Sequence, residues 1–173
     1  MNKKDLRKQA FTIKKSIDFK SVSKGICNNI KALDAYKNAK CVMLYNALSD
    51  EASLEELKPD KNKCFCFPSV KDDDIVVKLN SERTVVGKFG ITEAVGAEIS
   101  KDEIDLVLVP GVMFDYQFNR LGRGKGYYDR FLCDFKGIKI GICPHELLVN
   151  SVSSDDFDVK MDVIVTEKQI YKG

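Results

Sequence analysis

Cys41-Val42-Met43-Leu44-Tyr45 is an apolar run with no polar interruption. Strands that face water on one side alternate apolar with polar, so a continuous run describes a strand covered on both faces, as in a parallel sheet packed between helices. Four more runs have this character: Cys64-Phe65-Cys66-Phe67, Leu106-Val107-Leu108-Val109, Ile138-Lys139-Ile140-Gly141-Ile142 and Val163-Ile164-Val165. Helical stretches are expected between them, over Ser53 to Lys58, Tyr127 to Phe135 and around Glu146 to Val149. Strands alternating with helices predict an α/β fold: a mainly parallel sheet with right-handed crossovers.

Ahead of the first strand the period changes. Leu6, Ala10, Ile13 and Ile17 recur at helical spacing, and Ile26, Ile30 and Leu33 repeat the pattern with Ser21 or Ser23 as N-cap. Residues 72–100 break the alternation. Ile75-Val76-Val77-Lys78-Leu79, a turn at Asn80-Ser81 and Val85-Val86-Gly87 predict a small inserted hairpin. No repeat, linker or low-complexity tract interrupts the chain, so residues 1–173 are expected to form a single domain.

Composition narrows the function classes. With 173 residues the chain can bury a full core without staples. Lys and Arg number 28 against 26 Asp and Glu, a net charge of +2 that argues against a general nucleic-acid binder. No apolar run approaches the roughly 18–20 residues a membrane helix needs. The start, Met1-Asn2-Lys3-Lys4-Asp5-Leu6-Arg7, has no apolar stretch behind it to make a signal peptide, and a cytoplasmic location is expected. The six cysteines are read as reduced core thiols. Cys64-x-Cys66 has the look of half a zinc site, but there is no second pair at ligand spacing and only one His.

In open α/β sheets ligands bind beyond the carboxyl ends of the strands. The segments leaving those ends are Asn46 to Glu51, Pro68 to Asp73, Pro110 to Gly126, and Pro144 onward. The third contains Arg120-Leu121-Gly122-Arg123-Gly124-Lys125-Gly126-Tyr127-Tyr128-Asp129-Arg130. Alternating glycines let backbone N–H groups approach an anion, and the helix expected to follow adds its positive end. With Arg and Lys interleaved, a polyphosphate fits best. The bland alternative is a flexible, solvated basic turn. Asp129 beside such phosphates calls for a cation between them, and Mg²⁺ is the usual one, although an acid there also simply favours a helix start. The glycine spacing fits neither a Rossmann fingerprint nor a Walker A loop.

From Leu108-Val109-Pro110-Gly111-Val112-Met113-Phe114-Asp115 through Arg120 to Leu132, the sequence closely resembles the signature of 5-formyltetrahydrofolate cyclo-ligase, also called methenyltetrahydrofolate synthetase. Weaker agreement covers Lys3 to Arg7, the Glu51 region, Phe67-Pro68, Gly90 to Glu93, and Asp158 through Glu167. The resemblance implies a three-layer α/β/α fold and an ATP- and Mg²⁺-dependent closure of 5-formyltetrahydrofolate to 5,10-methenyltetrahydrofolate, with ADP and phosphate released. It implies that Lys3, Lys4 and Arg7 hold ATP together with Arg120, Leu121, Gly122, Arg123, Gly124, Lys125, Gly126, Tyr127 and Tyr128. Asn46 and Glu51 would meet the folate, as would Arg123 to Tyr127. Asp129 and Asp158 would be the magnesium carboxylates. The chain departs from the family pattern at Ala94, where Pro is common, and at Phe157, where His often precedes the Asp.

The implied reaction is attack of the formyl oxygen on the γ-phosphate, then ring closure on the activated carbon. It needs no protein nucleophile, and the sequence shows no convincing nucleophile–base arrangement. Catalysis would be positioning and charge stabilisation, with Lys125 and Arg123 as the catalytic cations. Replacing Lys125 with Ala or Asp129 with Asn is expected to cripple turnover at nearly unchanged melting temperature. The partner is expected to be this small molecule, with neither nucleic acid nor membrane, and the chain is expected to be a monomer. A non-catalytic nucleotide or folate sensor and an RNA binder stacking bases on Tyr127 and Tyr128 are the competing classes. One tension stands out. Asp158 precedes the last parallel run, at the wrong edge of the sheet, so either that strand is antiparallel or residues 150–158 fold back.

Overall fold

The structure, a computed structural model, describes residues 1–80, 84–86, 92–94 and 96–173. Helix α1 (Lys3–Lys14) is capped by Asn2, whose side chain accepts from the Asp5 N–H at 2.9 Å. Helix α2 (Phe19–Ala32) starts one turn earlier than Ser21 or Ser23 would allow, because Asp18 is its cap and accepts from the Ser21 N–H. Ser23 lies inside the helix, where its hydroxyl accepts from the Ser53 N–H at 2.8 Å. A short α3 (Asp34–Asn38) leads into β1 (Cys41–Met43).

Among the described residues, the main sheet has the order β13 (Ile170–Lys172), β12 (Val163–Val165), β10 (Ile138–Ile142), β7 (Leu106–Pro110), β1, β2 (Cys64–Lys71), β3 (Asp74–Leu79), β6 (Glu98–Ile99). Its centre is made of the five apolar runs, β1, β2, β7, β10 and β12, all mutually parallel. The edges are antiparallel, with β3 and β6 on one side and β13 on the other. Residues of β7 alternate between two cores. Val107 and Val109 join Leu6 and Ala10 of α1 and Phe131 and Leu132 of α4 (Tyr127–Leu132), whereas Leu106 and Leu108 join Ile26 and Ile30 of α2. Helices thus cover both faces, as the uninterrupted apolar runs imply.

The insertion is built differently from expectation. Strand β2 continues through Pro68 to Lys71, turns at Asp72-Asp73 (φ 51° and 64°) and pairs with β3, so 75–79 is the partner of β2 and not of 85–87. Two positive-φ residues are what a two-residue hairpin with right-handed twist requires. Strand β4 (Thr84–Val86) pairs instead with β5 (Thr92–Ala94). Ser81 and Gly87, part of the expected hairpin, lie outside the described residues. Three expected helices shrink. Residues 53–58 form one 3₁₀ turn, Glu55–Leu57, before Pro59. Helix α4 ends at Leu132. Near 146–149 a 3₁₀ turn, His145–Leu147, gives way to strand β11 (Leu148–Val149), which pairs with β8 (Met113–Asp115). Strand β8 also pairs with β9 (Arg120–Leu121).

Cys27, Cys41, Cys66 and Cys143 are buried free thiols, but Cys64 and Cys133 are exposed, at a strand start and a helix end. No helix among the described residues is long and apolar enough to cross a membrane.

Candidate functional site

Chain order β1-β2 runs one way across the sheet, while β7-β10-β12 runs the other, so the connection reverses between β1 and β7. Beyond the carboxyl ends of strands at such a reversal, neighbouring loops diverge and leave a crevice. Here the crevice is a cavity of about 660 Å³. The loop after β1 and the 122–126 loop both line it, joined where Arg123 meets Asp50 and Glu51.

The loop holds its shape through two glycines in the left-handed region, Gly124 at φ 109° and Gly126 at φ 71°. Arg130 braces it, donating to the Lys125 carbonyl (2.9 Å), to the Asp73 carbonyl (2.8 Å) and to the Asp74 carboxylate (3.2 Å), which ties the loop to the tip of the β2–β3 hairpin. From the other side the Arg7 Nε donates to the Gly122 carbonyl at 2.9 Å. Helix α4 is only six residues long. Attraction for an anion therefore comes from the loop's N–H groups and cations more than from a helix dipole.

Arg120 is buried in the cavity wall. It donates to the Pro110 carbonyl (3.0 Å) and to Asp129 Oδ2 (3.4 Å), and its guanidinium lies 5.4 Å from the Tyr128 ring centre. Burial pulls its pKa down, opposed by Asp129, Tyr128 and Asp158. Its Nε is buried without a hydrogen-bond partner among the described residues. Asp129 Oδ1 accepts from the Val159 N–H at 3.2 Å. Lys3 Nζ donates to Asp155 and Asp158, 2.7 Å each. Burial works to raise the Asp158 pKa, but the Lys3 ammonium, the Asp155 N–H and Arg120 outweigh it and hold the carboxyl below its ordinary value. Burial likewise works against the Lys3 charge, and the two carboxylates outweigh it, so its pKa is raised.

Glu51 closes its own turn, accepting from the Leu48 N–H at 3.0 Å, and its other oxygen lies 3.4 Å from Arg123. Arg123 also donates to Asp50 at 2.8 Å.

Of the residues singled out from sequence, Lys3, Arg7, Asn46, Glu51, Arg120, Gly122 to Tyr128, Asp129 and Asp158 line this one cavity. Lys4 is exposed and Leu121 is buried within β9; neither lines it. The topological tension resolves because β12 is parallel to β10 and residues 150–158 fold back. Sequence reasoning placed the segment Pro68 to Asp73 at this end of the sheet but not the apolar wall that Pro68 and Val70 form with Ile75, and it missed the brace Arg130 and Asp155. For Asp155 a signal existed: three acids lie within the four residues Asp155 to Asp158. Among the described residues five cations and four carboxylates line the cavity, so most of the loop's positive charge is balanced locally.

Residues 2–167 match the family model of the 5-formyltetrahydrofolate cyclo-ligase family. The chain belongs to the 5-formyltetrahydrofolate cyclo-ligase family. A Schizosaccharomyces pombe relative is 32% identical over 91% of this chain and 88% of its own length. The Mus musculus 5-formyltetrahydrofolate cyclo-ligase is 27% identical, covering 82% and 80%. The NMR structure of Aquifex aeolicus 5,10-methenyltetrahydrofolate synthetase superposes with a TM-score of 0.89 at 34% identity, covering 99% of this chain and 93% of that one. The mixed α/β architecture described above is thus that of a solved synthetase, and the cyclo-ligase signature from Leu108 to Leu132 contributes most of the cationic wall of the cavity.

Proposed function

We propose that this member of the cyclo-ligase family converts 5-formyltetrahydrofolate to 5,10-methenyltetrahydrofolate, consuming ATP with Mg²⁺ and releasing ADP and phosphate, as a one-domain cytoplasmic monomer. The observation that carries the reading is one cavity lined by the glycine loop, five cations and the pair Asp129 and Asp158. The names of its relatives support the folate half of the reading.

The donor set suits magnesium. Asp129 and Asp158 offer only oxygens, and each already faces a cation, Arg120 and Lys3 respectively. Hard divalent cations take carboxylate oxygens together with nucleotide phosphates. When bound, the ion would offset charge on the phosphates. Lys3, Arg7 and the loop N–H groups hold the polyphosphate, while Lys125 and Arg123 oppose charge developing on the transferred group. Glu51 keeps acceptor capacity for the N–H donors of the pterin. Pro68, Val70 and Ile75 give its ring a dry wall. A second depression of about 690 Å³ adjoins the first, sharing Asn46, Leu48 and Glu51, and extends the room for a substrate with a long tail.

The test is to mix the protein with Mg-ATP and fresh 5-formyltetrahydrofolate and follow the methenyl chromophore together with ADP. Equal rates of both are expected. Folded protein giving no absorbance change overturns the reading, and ligand binding by calorimetry without ADP release would mark a sensor instead.

A further inference from the structure

We propose that Asp115 is a positioning residue: it holds in place the returning segment 152–161 that delivers Asp158 to the cavity. The proposal rests on the reading above, in which Asp158 serves a magnesium nucleotide. Asp115 ends β8 and is fully buried, at 0% exposure. Its carboxylate is satisfied by N–H donors. Oδ1 accepts from the backbone of Gln117 and of Asn119, 3.0 Å each, and Oδ2 accepts from the Asn119 side chain at 3.0 Å and from the Val152 N–H at 2.9 Å.

Three of these bonds close the tight turn between β8 and β9, where Phe118 adopts φ 69°. The fourth is not needed by a turn. It reaches 37 residues along the chain to the start of the returning segment. The same turn grips the far end, since the Phe118 carbonyl accepts from the Met161 N–H at 2.9 Å. Between these anchors lie the groups that enter the site: Asp155 and Asp158 on Lys3, and the Val159 N–H on Asp129. A buried carboxylate without its donors is strongly disfavoured, so the Val152 bond is made or the segment must move. One residue distant from the ligand thereby sets where a magnesium carboxylate stands, as outer-shell partners do at metal sites.

Asp115→Asn keeps an acceptor for the backbone N–H groups of Gln117 and Asn119 but sets an NH₂, donor to donor, against the Val152 N–H and the Asn119 side-chain amide, of which only the side chain can turn its oxygen inward instead. The expected result is a KM for Mg-ATP raised about tenfold, an almost unchanged KM for 5-formyltetrahydrofolate, and faster amide exchange across 152–161. Asn119→Ala is the control. It removes another donor from the same oxygen and weakens the turn while leaving Val152 bonded, so its KM for Mg-ATP is expected to stay at the wild-type value. If Asp115→Asn does not fold, Val152→Pro deletes the donor instead and reads the same parameters. The proposal is overturned if KM for Mg-ATP is unmoved, or if Asn119→Ala raises it equally. Absence of methenyl formation by the unaltered protein would refute the reading of the site, and the exchange comparison would still decide whether Asp115 holds the segment.

Discussion

Lys125 and Asp129 stand four residues apart, yet their substitutions separate. Lys125 is exposed on the loop, so Lys125→Ala is expected to lower turnover by about 10²–10³-fold, as removal of one charge-stabilising donor does, with the melting temperature nearly unchanged. Asp129 holds the buried Arg120 and the Val159 N–H. Asp129→Asn therefore also costs about 1–3 kcal/mol of stability, seen as a lower urea midpoint, where the sequence suggested none. The Lys3–Asp158 pair brings a pH dependence. A carboxyl whose folded pKa is depressed contributes stability that is present above its ordinary value, here 3.8, and is lost as pH falls through the depressed one. Melting temperature should thus fall more steeply below about pH 4 in the wild type than in Asp158→Asn. Equal slopes would remove the pair from the account. At the alkaline end Lys3, with a raised pKa, keeps its side of the pair up to 10.5 and loses it only as pH rises above that value. The chemistry of these side chains could be read from residue type and motif. Their neighbours could not, because Lys3 and Asp158 are 155 residues apart and no local pattern encodes that contact.

At the scale of elements, the 122–126 loop depends on backbone conformations few residues adopt. A Cβ at Gly126 would sit 2.8 Å from Arg130 Nη1, at φ 71°. Gly126→Ala is expected to cost about 1–3 kcal/mol and to loosen the Arg130 brace, lowering turnover; a denaturant midpoint with parallel kinetics checks both. The alternating glycines were legible because only glycine takes such angles freely. The strand partners were not. Whether 75–79 pairs with β2 or with 85–87 depends on how far β2 runs past Pro68, and a Pro within a run reads as a strand end although edges and bulges tolerate it. Helix lengths failed for a related reason. Short amphipathic stretches such as 53–58 and 146–149 have too few turns for periodicity to distinguish a helix from a 3₁₀ turn.

For the whole molecule, the continuous runs at 41, 64, 106, 138 and 163 correctly marked the parallel centre of the sheet, since burial on both faces erases alternation. Leu108 in the middle of that centre is fully buried, and Leu108→Ala is expected to cost about 2–5 kcal/mol, against no more than about 0.5 kcal/mol for Phe157→Ala, which is 88% exposed. Similar losses at both positions would contradict the arrangement of the core. The long reach of the Lys3 contacts also has a consequence for how the protein is made. Residues near the start of α1 wait for partners made 152 and 155 residues later, so a growing chain carries the glycine loop well before the segment that brings Asp155 and Asp158. During that interval the loop's cations are without two of the acids that later balance them. Nascent chains halted before residue 150 should therefore hold polyphosphates loosely and indiscriminately, and selectivity for one ligand should arrive only once Asp155 and Asp158 have been added.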